Sequence, residues 1–233
     1  MTAHPAQANL ALLRLCRAVF ASMLLWSGVI SGSMAAEFAL SAESMAKIKH
    51  DYGDPAVERV LQWQRMIQTA GTLDDQEKLR LTNDFFNRLS FVSDIEHWGK
   101  EDYWATPVQL LASAGGDCED FSIAKYFTLR QMGIPADRMR LTYVKALELN
   151  QAHMVLTYYS KPGVDPLVLD NLINDIRTSS SRTDLLPVYS FNGNGLWLVK
   201  ARGMDQHVGN PDRLSRWQEV IARISDEHLA LPY

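Results

Sequence analysis

The 233-residue sequence is poor in cysteine, in clustered basic charge and in long apolar runs. Two cysteines cannot staple a small disulfide scaffold, so a hydrophobic core has to hold the fold. Thirteen glycines and nine prolines, against 47% hydrophobic residues, exclude a disordered or collagen-like chain. A formal net charge of −4 without a Lys/Arg cluster argues against partnership with nucleic acid through its phosphates. The one long apolar stretch is 19–30, broken only by Ser22, Ser27 and Gly28. About twelve residues suit a signal-peptide core, whereas a membrane span needs roughly twenty. Arg14 and Arg17 precede this stretch, and Ser33-Met34-Ala35-Ala36 puts small residues at the −3 and −1 positions of a cut after Ala35. Residues 1–35 are therefore expected to be a signal peptide, and the remainder an exported chain that does not itself span the membrane. Cleavage would remove Cys16 and leave Cys118 alone in an oxidising compartment, where an unpaired thiol needs a reason.

What is present divides by period. Segment 36–100 reads as a helical lobe. Asp54-Pro55 starts a helix with Val57, Val60, Leu61, Gln64 and Ile67 on one face. Gly71 ends it, and Thr72 or Asp74 caps a second helix with Leu79, Thr82, Phe85, Phe86 and Leu89 in a stripe. Residues 94–106 are aromatic and charged without a period, a connection between lobes. Segment 101–233 mixes periods. A helix beginning near Cys118 is apolar on most of its circumference and runs to Gly133-Ile134-Pro135, so it should be central and buried. Segments 139–146, 152–159, 167–170, 188–191 and 196–200 read as strands, 178–183 as a polar loop, and Asn210-Pro211 opens a closing helix. The order predicts an α+β fold, with a central helix on an antiparallel sheet and a helical lobe ahead of it.

In Gly115-Gly116-Asp117-Cys118-Glu119-Asp120, the cysteine falls on the first turn of that central helix. Unpaired N–H groups and the positive end of the dipole there favour a thiolate. The two glycines would leave room for a substrate backbone. A thiol nucleophile needs a base, and the base an orienting group. A hairpin symmetric about Lys161-Pro162 would place His153 opposite Asp170. His50, His97, His207 and His228 are weaker candidates.

Together, Gly116-Asp117-Cys118-Glu119-Asp120, Ala152-His153-Met154 and Leu169-Asp170-Asn171 resemble the bacterial transglutaminase-like cysteine proteases, and among them the periplasmic LapG-type adhesin proteases. The resemblance implies a papain-like core and a catalytic triad of Cys118, His153 and Asp170. It implies cleavage of a large biofilm adhesin near its N-terminus within a di-alanine motif, a calcium requirement, and sequestration by the periplasmic domain of an inner-membrane cyclic di-GMP receptor. Two other readings stay open, a transglutaminase-type acyl transferase and a non-catalytic periplasmic binding module.

The calcium requirement has a physical rationale. Asp117, Glu119 and Asp120 crowd carboxylates around a cysteine that should ionise, and like charge opposes the thiolate. A Ca²⁺ ion held by these three would offset them, with further oxygens coming from backbone, water or the 94–106 connection. The second oxyanion donor is left unassigned, with Gln109 and the Trp104 indole as candidates. Trp98, Trp104 and Trp197 are expected in the core rather than in a substrate groove.

Overall fold

A computed structural model describes residues 38–201 and 204–227; the expected signal peptide at 1–35 lies outside them. Three helices come first: α1 (Ala42–Tyr52), α2 (Asp54–Thr69) and α3 (Asp75–Phe86). Asp74 caps α3 by accepting the Glu77 N–H at 2.9 Å. Ala56, Val60, Trp63 and Ile67 bury the apolar stripe of α2. After a two-residue strand β1 (Ser90–Phe91), the 94–106 connection is partly helical as α4 (Asp94–His97). A helix absent from the sequence reading follows, α5 (Pro107–Ser113), opened by a Thr106/Gln109 capping box.

Strand β2 (Gly115–Gly116) pairs in parallel with β1 and delivers the chain to the central helix α6 (Cys118–Gln131). Every residue of α6 from Asp120 to Leu129 is buried, as its all-round apolar pattern requires. It is tied to α2 by the Trp63 Nε1–H, which donates to Thr128 Oγ1 at 2.8 Å inside the core.

The rest is one antiparallel sheet of β3 (Met139–Ala146), β4 (Gln151–Tyr158), β5 (Leu167–Leu169), β6 (Arg177–Thr178), β7 (Leu185–Asn192), β8 (Gly195–Ala201) and β9 (Met204–Gly209), in the order β6-β5-β4-β3-β7-β8-β9. Alternation sends Leu141, Met154, Leu156, Leu169 and Phe191 to the main core, and Val144, Val155, Val168 and Leu185 to a smaller cluster. The closing helix α7 (Ser215–Asp226) buries Trp217, Val220 and Ile224, with Trp217 stacked on Phe127 at 5.8 Å. One apolar core runs from Ile48, Val60 and Trp63 through α6 to Leu141 and Phe191, so helices before residue 100 and sheet beyond it pack on the same interior. None of the described helices is long and apolar enough to cross a membrane.

Candidate active site

The entrance to α6 is built around a carboxylate. Asp120 is fully buried and accepts the Ala105 N–H on Oδ1 at 2.6 Å and the Asp117 N–H on Oδ2 at 3.2 Å. Gly116 makes this possible, because a Cβ there would collide with Asp120 Oδ2 and come within 2.9 Å of Leu110 Cδ1. A Cβ on Gly115 would press on the Ser90 carbonyl at 3.1 Å. The glycine pair therefore clears space for the protein's own acid and for β1, which corrects the expectation that it clears space for a substrate backbone.

Cys118 is the first residue of α6, a free and half-buried thiol. Its S–H donates to Glu119 Oε2 at 3.0 Å. Burial, together with the charges of Glu119 and Asp117, pushes the thiol well above its ordinary range, and the Met154 backbone beside the sulfur works against that rise. One turn further along, Ser122 Oγ donates to the Met154 carbonyl at 3.0 Å. Cys118 and Ser122 thus both abut the strand residue that follows His153.

His153, on β4, and Asp170, just past β5, are both buried and joined Nε2 to Oδ1 at 2.8 Å. The pairing differs from the expected one by two residues: Leu156 faces Leu169 and Thr157 faces Val168. The turn centres on Pro162-Gly163 rather than Lys161-Pro162, because Gly163 supplies the left-handed conformation (φ 77°) and Val164 N–H closes on Lys161 O at 3.4 Å. A slip of two preserves the face of each side chain, so the carboxylate still reaches the imidazole from beyond the end of the ladder. Burial works against the Asp170 charge, but hydrogen bonds from His153, from Leu172 N–H at 3.0 Å and from Arg182 outweigh it and hold the carboxyl at about 2. An ionised carboxylate only accepts, so the Nε2 facing Asp170 carries a proton, and in the neutral ring Nδ1 is the nitrogen with the lone pair.

Asp117, Glu119 and Asp120 come together as expected, and two acids from the preceding connection join them. Oxygens of Asp94, Asp117 and Asp120, and of Asp94, Asp102 and Glu119, fall within 4.8 Å of one another. Asp94 and Asp102 were not singled out from the sequence; the charge of the 94–106 stretch was the visible signal. Asp94 Oδ1 and Asp117 Oδ1 are buried without a hydrogen-bond partner, whereas Asp120 already spends both oxygens on backbone N–H groups. Burial raises Asp94 to about 6, helped by Glu119 and Asp102 and opposed by the Tyr103 N–H. Burial and Glu119 push Asp117 up to about 10. Orphaned, hard oxygen donors that resist ionisation when alone fit a divalent cation such as Ca²⁺.

The other candidates lie elsewhere. Gln109 Oε1 accepts the Thr106 N–H at 2.9 Å and its Nε2 donates to Tyr103 Oη at 2.9 Å, so its amide is spent on structure. Trp104 is buried and stacks on Phe191, Trp98 packs on His97 and Tyr103, and Trp197 meets the exposed His207. His50 is exposed on α1, and His228 lies outside the described residues.

A central helix that opens on a thiol, packed on an antiparallel sheet bearing a buried imidazole–carboxylate pair, defines the class: a papain-like or transglutaminase-like thiol enzyme core. Residues 58–191 match the bacterial transglutaminase-like cysteine proteinase family, and the chain belongs to it. Among solved structures it is similar to LapG of Legionella pneumophila, with 39% identity over 79% of this chain and 98% of that one, at a TM-score of 0.69. An EGTA-treated form of that protein matches with 40% identity and a TM-score of 0.70, over 79% of this chain and 98% of that one. A calcium-bound form matches with 40% identity and a TM-score of 0.68, over 79% and 99%. No curated protein sequence matches.

Proposed function

We propose that this chain is a calcium-dependent periplasmic cysteine endopeptidase that cuts a large biofilm adhesin near its N-terminus, within a di-alanine motif, and so releases it from the cell surface. The observation that carries the reading is the buried 2.8 Å His153–Asp170 bond on the strand whose next residue, Met154, lies against Cys118. In this mechanism His153 Nδ1 accepts the Cys118 proton, while Asp170 holds Nε2–H and stabilises the imidazolium. The sulfur attacks the scissile carbonyl carbon, and the oxyanion is met by the Cys118 backbone N–H at the helix entrance. His153 then returns the proton to the leaving amine. Water, deprotonated by the same imidazole, hydrolyses the thioester and frees the thiol.

Asp94, Asp102, Asp117, Glu119 and Asp120 are the residues that would hold calcium, a reading supported by the clustering of their oxygens, by the orphaned Oδ1 atoms of Asp94 and Asp117, and by the calcium-bound Legionella relative. When bound, the ion supplies positive charge that offsets the carboxylates opposing the thiolate. The adhesin substrate, the periplasmic location and sequestration by a cyclic di-GMP receptor's periplasmic domain rest on the LapG-type motifs around Cys118, His153 and Asp170.

The test is incubation with an adhesin N-terminal fragment, with calcium or chelator, in the presence of a labelled amine. Two fragments should appear with calcium only, and none with C118A. An intact substrate in calcium would refute protease action on it, and label on the substrate would mean acyl transfer instead.

A further inference from the structure

Arg182 lies in the segment read from sequence as a polar loop, yet its side chain is only 3% exposed. Its Nη2 donates to Asp170 Oδ2 at 2.7 Å and to Asp184 Oδ2 at 2.7 Å, and its Nε donates to Asp184 Oδ1 at 2.9 Å. Asp170 Oδ1 is meanwhile taken by His153 Nε2 and Leu172 N–H. Three donors from β4, from the turn after β5 and from the segment before β7 therefore determine the rotation of one carboxylate.

We propose that Arg182 is a positioning residue for this site: its buried guanidinium orients the Asp170 carboxylate so that His153 keeps its proton on Nε2 and offers Nδ1 to Cys118. The importance for turnover rests on the proteolytic reading above; the geometry does not. Without Arg182, Oδ2 would be a buried carboxylate oxygen with no donor, which favours protonation or rotation of the acid. A protonated Asp170 can donate to Nε2, which moves the imidazole proton to Nδ1 and removes the base. A guanidinium suits the task because its planar fork reaches two carboxylates at once. Asp184, half-buried on the far side, balances the charge that Arg182 brings into the interior. The charged or titratable groups facing Asp170 are His153 from β4, Lys125 from α6, and Arg182 backed by Asp184.

Histidine ¹⁵N spectra of the full chain in a C118A background, with His153 assigned by H153Q, read the tautomer without any substrate. With the ring neutral, wild-type Arg182 and D184N should each show a single Nε2–H form, and R182M a mixture containing Nδ1–H. R182Q replaces R182M should methionine prevent folding. An unchanged tautomer in the neutral variant would reduce Arg182 to a strap between loops and overturn the inference, whether or not the protein cleaves an adhesin. In the active protein, R182M should lower kcat about 10- to 100-fold with KM little changed and move the acidic limb of the rate profile to higher pH. R182K should recover part of kcat. Equal losses in R182M and D184N, with the acidic limb unmoved, would likewise count against it.

Discussion

The acidic cluster makes a quantitative prediction about pH and calcium. In the cation-free protein burial, with Glu119 and Asp102, raises Asp94 to about 6, and burial with Glu119 raises Asp117 to about 10. Such acids hold protons in the folded chain that the unfolded chain has released, so stability falls as pH rises above the ordinary carboxylate range. For Asp94, which is 3% exposed, the rise corresponds to about 3 kcal/mol, lost between roughly pH 4 and pH 7. Asp117 continues the trend to higher pH. Calcium reverses the loss, because it binds the ionised acids and not the protonated ones. For a chain of this size about 3 kcal/mol corresponds to roughly 6–12 °C in Tm. Thermal unfolding in calcium-free buffer and in millimolar calcium, at pH 5 and pH 8, is the assay. The calcium-induced rise in Tm should be larger at pH 8 by about that amount. An equal rise at both pH values, a larger one at pH 5, or none would refute the reasoning.

The remaining predictions concern single residues. Gly116→Ala would drive a methyl group into Asp120 Oδ2 and Leu110 Cδ1, and should cost about 2 kcal/mol, read as a lower Tm. Asp94→Asn keeps an acceptor for the Tyr103 N–H but removes a charge, and should weaken calcium binding about 10-fold or more by isothermal titration while the protein stays folded. Asp170→Asn should lower kcat by about 10³ to 10⁴ in the fragment-cleavage assay, because the amide no longer enforces Nε2–H on His153.

Features encoded over a few neighbouring residues were legible in the chain. The apolar circumference of 118–131 demanded a buried central helix, and α6 is that helix. Segments 139–146 and 152–159 read as strands between turn residues; the first has those bounds in the structure, and the second is shifted by one residue to 151–158. Segment 178–183 concealed β6 at its start and the buried Arg182, because a loop composed of Ser, Thr and Arg has no period to reveal which side chain turns inward. Strand β9 and helix α5 were also missed, because β9 is mostly polar and the seven residues of α5 are under two turns, too short for its apolar residues to establish a period.

The sequence by itself determined that a cysteine sits at a helix entrance among acids, since capping, glycine placement and hydrophobic spacing act within a turn or two of the chain. Only the tertiary structure decided which partners meet there. The arrival of Asp94 beside Asp117 and of Asp102 beside Glu119, and the reach of Arg182 to Asp170, each join separate segments of the chain. Such meetings are set by how the core packs, and no local pattern records them.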